Sequence, residues 1–459
     1  MDTFRTVRSF PPAVRFLLVN QLGIDIGTFL LFPFLAGHLT GDLDMSSATV
    51  GVVLATIQLS HQGLVVVGGT ASDRFGGHRV IPIGCLMRLS GFALFALVDG
   101  VRAVLVASVL TGVAGALLYP AMRACAAQAA PPDRRAEVFA MLNVFTATGG
   151  LMGLAVGSVL CMIDFRATAV TAAAVLMVMT MIQLFALPAL ATLDWANRRC
   201  HSRSAVHGWL FILRDRNFLA FSLTMTALTA LENQIYLLFV SASQQVSGQL
   251  AAAAVMPMVG AVASLALQLR VTRLVRARGG PAAWIAPGLA LMGLAFVPPL
   301  LTVSSGHPAT GGRTDTVLLL VPLAVGAFLL ALGQMAAQPS YLELVTRHSV
   351  GGLVGTYFGF FYVISGIAAS ACTSAVGWAM DVGERTGRLW LPWSCCAVLG
   401  LISAAGVIWI RHLGRLPGEN DNPAPRKERT RAGVPPPRRR QGKREHAKRR
   451  TGSSQRARR

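Results

Sequence analysis

The chain is a string of apolar runs, each long enough to span a bilayer, and this repetition constrains its fold more than any motif. Stretches dominated by Val, Leu, Ala, Ile and Gly occupy 14–37, 48–68, 80–98, 103–125, 137–161, 167–190, 217–242, 250–270, 281–303, 317–338, 352–379 and 390–412. A helix needs roughly 20 such residues to cross ~30 Å of hydrocarbon. Inside lipid every backbone polar group must be satisfied within the segment, so the runs predict an all-α membrane protein of twelve transmembrane helices. Charge content agrees. Of 459 residues, 13% are charged and 53% hydrophobic, whereas soluble domains carry about 25% charged residues.

The connections alternate in charge. Those after spans 2, 4, 6, 8 and 10 hold Arg74 and Arg79; Arg134 and Arg135; Arg198, Arg199, Arg203, Arg214 and Arg216; Arg273, Arg276 and Arg278; and Arg347. The others hold only Arg102, Arg166, Arg313, Arg385 and Arg388. Basic residues gather in cytoplasmic connections, which predicts that both termini are cytoplasmic. An even span count puts the two ends on the same side. The start, "MDTFRTVRSFPPAVRFLL", reads as leading into a retained first span, because the apolar run after it is too long for a signal-peptide core. Arg outweighs Lys throughout, which suggests a GC-rich genome and a bacterial cell membrane.

The net charge of +21 is concentrated in one place: from Arg411 onward there are 17 Lys or Arg and 4 acidic residues. Residues 414–459 cannot bury a core and are expected to be a disordered basic cytoplasmic tail. Such a tail should lie on anionic inner-leaflet lipids. It has no aromatic interleaving for stacking on bases, which argues against nucleic acid as a partner. The seven cysteines, at 85, 125, 161, 200, 372, 395 and 396, form no metal-ligand spacing and read as small hydrophobes. No metal or other cofactor is expected.

The longest polar connection, 191–216, divides the chain into halves at 1–190 and 217–413, and the halves echo each other. "YPAMRACAAQAAPPDRRAEVFAMLNVFTATGGLMGLAVGSVLCMID" (119–164) matches "QPSYLELVTRHSVGGLVGTYFGFFYVISGIAASACTSAVGWAMD" (338–381) in length and hydropathy, with Pro120 answering Pro339 and Asp164 answering Asp381. Two pseudo-symmetric six-helix bundles are predicted.

Between spans 2 and 3 stands "GGTASDRFGGHR" (68–79). Gly69 removes a side chain where a helix can approach closely. Gly76 and Gly77 permit a tight turn. Asp73 can face the positive end of a helix, and Arg74 and Arg79 can hold headgroups or pair with Asp133 and Glu137.

This pattern of Gly, three residues, Asp-Arg, one residue, Gly and then basic residues resembles the signature loop of the major facilitator superfamily. Gly77 stands where that family usually has a basic residue. The resemblance implies a twelve-helix secondary carrier that works by alternating access. It also implies that Asp73 meets the start of helix 11, near Gly352, as a latch broken when the carrier changes state. Within the superfamily the chain resembles the drug:proton antiporters, of MdtH-type multidrug exporters, from about residue 12 to 412. It departs from them in two places. That branch carries an acid in span 1 where Asn20 stands, while this chain has Asp25. In span 5, "TGGLMGLAVGS" keeps packing glycines at Gly149, Gly150, Gly153 and Gly157 but lacks the Gly-Pro that ends the antiporter signature.

A mid-span acid costs about 2.5–3.5 kcal/mol on insertion scales, so it must face a cavity, a partner or protein. Asp25 in span 1 and Glu232 in span 7 are the candidate proton carriers or cation acceptors. His61 in span 2 is a third, since its ordinary pKa suits proton exchange. Asn20, Gln21, Gln58, Gln62, Asn233, Gln334, Gln338, Tyr357, Phe358, Phe361 and Tyr362 are candidate cavity-lining residues. Structural alternatives stay open: a hydrogen-bonded carboxylate at Asp25, a hydrated kink at "LENQIY", a packed His61, and aromatics that only pack.

The leading expectation is proton-coupled efflux of lipophilic or cationic drugs or of a natural product. With no cluster of cavity charges visible, an amphipathic, mainly apolar small-molecule substrate fits best. An uptake carrier or facilitator shares the fold and is the alternative. A membrane-embedded enzyme would need a catalytic pair or metal cluster at one depth, and the nine histidines are scattered. A monomer is expected.

Overall fold

Among the described residues, twelve helices are long and apolar enough to cross a membrane: Pro12–Leu39, Thr49–Phe75, Gly77–Leu97, Val101–Ala129, Pro132–Cys161, Phe165–Ala186, Arg216–Val246, Val255–Ala277, Ala282–Leu301, Leu319–His348, Val354–Thr386 and Leu391–His412. They are spans 1 to 12 below. The structure, a computed structural model, describes residues 2–41, 43–97, 100–191, 205–247, 255–304, 313–349 and 352–413. The tail 414–459 and residues 192–204 of the central connection lie outside the described residues.

Several helices outrun their apolar stretches. Span 2 continues to Phe75, span 10 to His348 and span 11 to Thr386. Hydropathy marks only the lipid-facing length, and the helical hydrogen bonding continues through the polar turns beyond it, past Gly69 in span 2, Pro339 in span 10 and Gly383 in span 11. The signature stretch is therefore mostly helical. Gly76 alone, at φ 82° and ψ 142°, separates the helix Ser47–Phe75 from Gly77–Leu97. Only glycine takes that positive φ freely. Gly77 is the first residue of the next helix, and a Cβ there would overlap the Cys125 sulfur. Its role is close packing rather than turn geometry.

Spans 7 and 9 are each broken in mid-course. Span 7 comprises Arg216–Asn233 and Leu238–Ser247, and span 9 contains Pro281–Leu294 and Val297–Ser304. The "LENQIY" segment is thus a kink, with Glu232 in the last turn before the break.

Packing repeats between the halves. Span 1 packs on spans 5 and 6, span 2 on span 4, and span 3 on spans 4 and 6; span 7 packs on 11 and 12, span 8 on 10, and span 9 on 10 and 12. Adding six to each first-half label gives the second-half partner. Contacts between the halves obey the same operation, since spans 2 and 11 meet as do spans 8 and 5. This is the two-bundle arrangement expected of repeats related by one axis. Large apolar side chains such as Leu59 (76% exposed) and Phe185 (80%) point outward, as suits helices solvated by lipid.

Candidate functional site

Two sites join the halves. At the end of the bundle that carries the signature stretch, spans 2 and 11 cross backbone to backbone. A Cβ on Gly69 would overlap the Gly355 carbonyl oxygen, and one on Gly355 would stand 2.5 Å from the Gly69 oxygen. Higher on the same seam, a Cβ on Gly359 would lie 2.8 Å from the Val66 Cα. The crossing places Asp73 at the start of span 11. Its Oδ1 accepts from the Gly355 N–H at 2.7 Å, and its Oδ2 accepts from the Thr356 N–H and hydroxyl, each at 2.7 Å. The first amides of a helix have no partner inside it, so a buried carboxylate there satisfies orphan donors and meets the positive end of the helix dipole. Gly352, at φ 81°, turns the chain into that helix start.

Beside this junction, Glu137 at the start of span 5 pairs with Arg134 at 2.8 Å and with Arg276 of span 8 at 3.2 Å. That corrects the pairing expected from the sequence. Arg276, from the other half, takes the carboxylate, while Arg74 and Arg79 are exposed. Asn143 of span 5 donates to the Gln338 Oε1 of span 10 at 2.7 Å, a further link between the halves.

The second site is central and charged. Asp25 is 3% exposed and accepts from the Gln21 Nε2 at 2.7 Å. It shares one small pocket with Arg88 of span 3 and Tyr119 and Arg123 of span 4. Arg88, 4% exposed, donates to the Thr28 hydroxyl at 2.9 Å and lies 6.0 Å from the centre of the Tyr119 ring. The His61 ring is 5.2 Å from that of Tyr119. Arg123 is within electrostatic reach of Asp25 and, from the other half, of Glu232, Tyr341 and Tyr362. Glu232 is approached by the side chain of Gln334. One guanidinium is thus within electrostatic reach of both acids singled out from the sequence, one acid in each half.

Sequence reasoning missed Arg88 and Arg123. The signal was present in "GCLMRLSGF" and "YPAMRACAA", since the cost that singles out a mid-span acid applies equally to a mid-span base. The expectation that the cavity holds no charge cluster is corrected accordingly. The remaining candidates divide. Asn20 is 3% exposed inside the first bundle, accepting from the Gln183 Nε2 at 2.5 Å, so it packs spans 1 and 6 together. Tyr357, Phe358 and Phe361 are fully buried: Tyr357 lies edge-on to Phe218, Phe358 near Phe139, and Phe361 stacked on Tyr341. In this state they pack rather than line an open space. Tyr362 is partly exposed, as are Gln62, Gln334 and Gln338, while Gln58 and Asn233 are exposed. Of the span 5 glycines, Gly149, Gly153 and Gly157 press on the backbone of span 1, whereas Gly150 meets only the Phe29 ring.

Twelve apolar helices in two repeated bundles, joined by a signature crossing and a central charge cluster, are the architecture of a membrane transporter. The Major Facilitator Superfamily model matches residues 17–373, and the chain belongs to that family. It is a multi-pass membrane protein of a family that carries small-molecule substrates, and it is not an enzyme. An uncharacterized MFS-type transporter of Mycobacterium tuberculosis is 35% identical over 87% of this chain and 93% of its own length. The multidrug resistance protein MdtH of Yersinia pestis is 28% identical over 86% and 93%. Among solved structures, a bacterial homologue of the iron transporter ferroportin in its outward-facing state matches with TM-score 0.68 at 14% identity, covering 88% of this chain and all of that one. The Escherichia coli fucose:proton symporter matches with TM-score 0.63 at 14% identity, covering 86% and 98%.

Proposed function

We propose that this protein is a proton-coupled exporter of lipophilic or cationic organic compounds, drugs or a natural product, working by alternating access. The observation that carries the reading is that Arg123 shares a pocket with Asp25 of one half and lies within electrostatic reach of Glu232 of the other, with Arg88 in the same pocket as Asp25. With both acids ionised, two guanidiniums face two carboxylates. A proton on either acid leaves one guanidinium unbalanced where water is scarce, so a cationic substrate and a proton disfavour each other. Binding linkage of that sign is what antiport requires. Each proton entering supplies about 2.3 kcal/mol per 100 mV of membrane potential. The name of the Yersinia relative, a multidrug resistance protein, supports the export direction.

The alternation of basic connections supports placing the signature end and both termini in the cytoplasm of a bacterial cell. In this reading the bundles 1–190 and 217–413 rock against each other as a monomer. The Asp73 junction holds the cytoplasmic side shut and breaks when that side opens. Residues 414–459 lie along anionic inner-leaflet lipids.

A second reading has support from the same charges. An organic anion would bind better once Asp25 is protonated, which is the sign of proton-coupled uptake. Everted vesicles at an imposed ΔpH separate the two, with lipophilic cations and organic anions tested in parallel on wild type and Asp25→Asn. Cations that dissipate the gradient only through wild type support export. Anions that do so from the opposite side support uptake. No response to either class, with both proteins folded and inserted, removes proton coupling through Asp25.

A further inference from the structure

The short helix Ala205–Arg214 in the connection between the halves does more than bridge them. The Trp209 indole N–H donates to the Thr70 hydroxyl oxygen at 2.8 Å. Thr70 lies one turn before Asp73 on span 2, and its oxygen is 3.4 Å from the Thr356 hydroxyl that binds Asp73. Gly208 is buried, and a Cβ there would stand 3.4 Å from Leu353, the residue that leads into span 11. Ile212 is fully buried in the core that also holds Phe218, Tyr357 and Phe358. Just beyond the helix, the Asp215 Oδ1 accepts from the Phe218 N–H at 3.0 Å and so caps span 7, while its Oδ2 accepts from the Tyr357 hydroxyl of span 11 at 3.4 Å. The connecting helix is therefore strapped across the seam that the signature residues close.

Its outer face has a different composition. Leu210, Phe211 and Leu213 are 46%, 52% and 50% exposed, and His207, Arg214 and Arg216 are exposed beside them. Water would leave three large apolar side chains unburied, and hydrocarbon would strand the arginines. A helix with apolar and basic residues on one face suits the headgroup layer of a bilayer, where the apolar groups enter the acyl boundary and the cations meet anionic lipid.

We propose that the helix Ala205–Arg214 is seated by its outer face on an anionic phospholipid leaflet, and through Trp209 holds the Asp73–Thr356 junction closed. Lipid charge is thereby coupled to the closed state of the carrier. The proposal rests on the reading that this end of the bundle opens and closes during transport. Nanodiscs offer the same lipid to both faces of the protein, so the result is independent of orientation.

The full chain would be placed in nanodiscs of phosphatidylcholine alone or with phosphatidylglycerol, in a cysteine-depleted background. A fluorophore at Leu210→Cys reports depth through quenching by brominated lipids. A spin-label pair at Arg79→Cys and Ala277→Cys, both exposed and one in each half, reports closure. The expected results are quenching at position 210 and an open fraction lower in anionic discs. Trp209→Phe, which keeps an aromatic ring and loses the indole donor, should raise the open fraction roughly threefold to tenfold, the worth of one hydrogen bond. Thr70→Val should do the same, and the double variant should add little to either, as for two partners of one bond. Combining Leu210→Ser, Phe211→Ser and Leu213→Ser should abolish the dependence on lipid. An unquenched probe, lipid-independent closure in wild type, or additive effects of Trp209→Phe and Thr70→Val would each overturn the proposal. Label pairs that never change distance under any condition would instead remove the underlying reading that this end opens.

Discussion

The signature junction and the central cluster both join the halves, and they are built in opposite ways. At the junction the fit is between backbones. Gly69 and Gly355 leave no room for a Cβ, and one carboxylate, Asp73, closes on three donors. At the centre the fit is between charges on long side chains, with Asp25, Arg88, Arg123 and Glu232 contributed by spans 1, 3, 4 and 7. The first site resists added atoms and the second resists lost charge. In the proposed cycle, closure is thus a property of shape, and coupling a property of charge balance.

That contrast is sharpest at Asp25. Asp25→Asn keeps the volume and the Gln21 contact but removes one of two negative charges facing two guanidiniums. Proton-driven transport should be lost, while exchange of labelled substrate between the two sides, which needs no net proton movement, should survive. Loss of both activities in a folded protein would assign Asp25 to closure rather than coupling and break the distinction. Next in size is Gly69→Val. A branched side chain meets backbone that cannot step aside, and overpacking costs about 1–3 kcal/mol or more. The closed population should fall by roughly 5- to 150-fold, read as a shift in inter-half label distances.

Asp73→Asn keeps one acceptor for the helix start, but its NH2 group faces donors that the second carboxylate oxygen had satisfied. A loss of about 1.5–3 kcal/mol, the range for a hydrogen bond to a charged group, would open the junction roughly tenfold or more. Smaller again is Glu137→Gln, which removes the Arg276 link between spans 5 and 8. Both partners are partly exposed, at 16% and 29%, so the effect should be about 1 kcal/mol at most and should fade in high salt. A salt-independent effect larger than that of Asp73→Asn would place the main latch at Glu137.

The two sites were also unequally legible. The junction is written in one contiguous stretch: the spacing of Gly69, Asp73 and Gly76 can be read without knowing which helix lies opposite. The twelve spans were legible for a similar reason, since lipid imposes a length and composition on each run separately. The central cluster is non-local. Asp25 and Glu232 stood out as acids in apolar runs, but their shared electrostatic neighbour, Arg123, depends on how spans 1, 4 and 7 pack. Internal repetition did not help there. Counted from Pro120 and Pro339, the position matching Arg123 is Leu342, so the symmetric half carries no echo of the charge. Tyr357, Phe358 and Phe361 of span 11 are packed in this state while Tyr362 reaches the Arg123 cluster, and a helix buried on several sides shows no face that its sequence alone can identify.

The smallest effect tests shape at its finest grain. Gly149, Gly153 and Gly157 recur every fourth residue along span 5, and a Cβ on them would lie 2.8, 2.5 and 2.6 Å from the carbonyl oxygens of Leu22, Ile26 and Leu30. Those three residues recur every fourth position along span 1, so two helical ridges meet backbone to backbone. Gly150 sits one residue away in sequence and about 100° away around the helix. A Cβ there would meet only the Phe29 ring, at 3.5 Å, an ordinary contact. Gly153→Ala should therefore push spans 1 and 5 apart, lowering thermal stability and displacing Asp25, whose Cβ lies in the same contact, 2.9 Å from where a Cβ on Gly149 would stand. Gly150→Ala should leave stability within about 1 kcal/mol of wild type, with the gain in helix propensity offsetting any crowding. Equal loss from both substitutions would mean that span 5 needs glycine for flexibility along its length. Loss confined to Gly149, Gly153 and Gly157 would mean that it needs glycine for one face, and that the bed on which Asp25 rests is set by backbone contact.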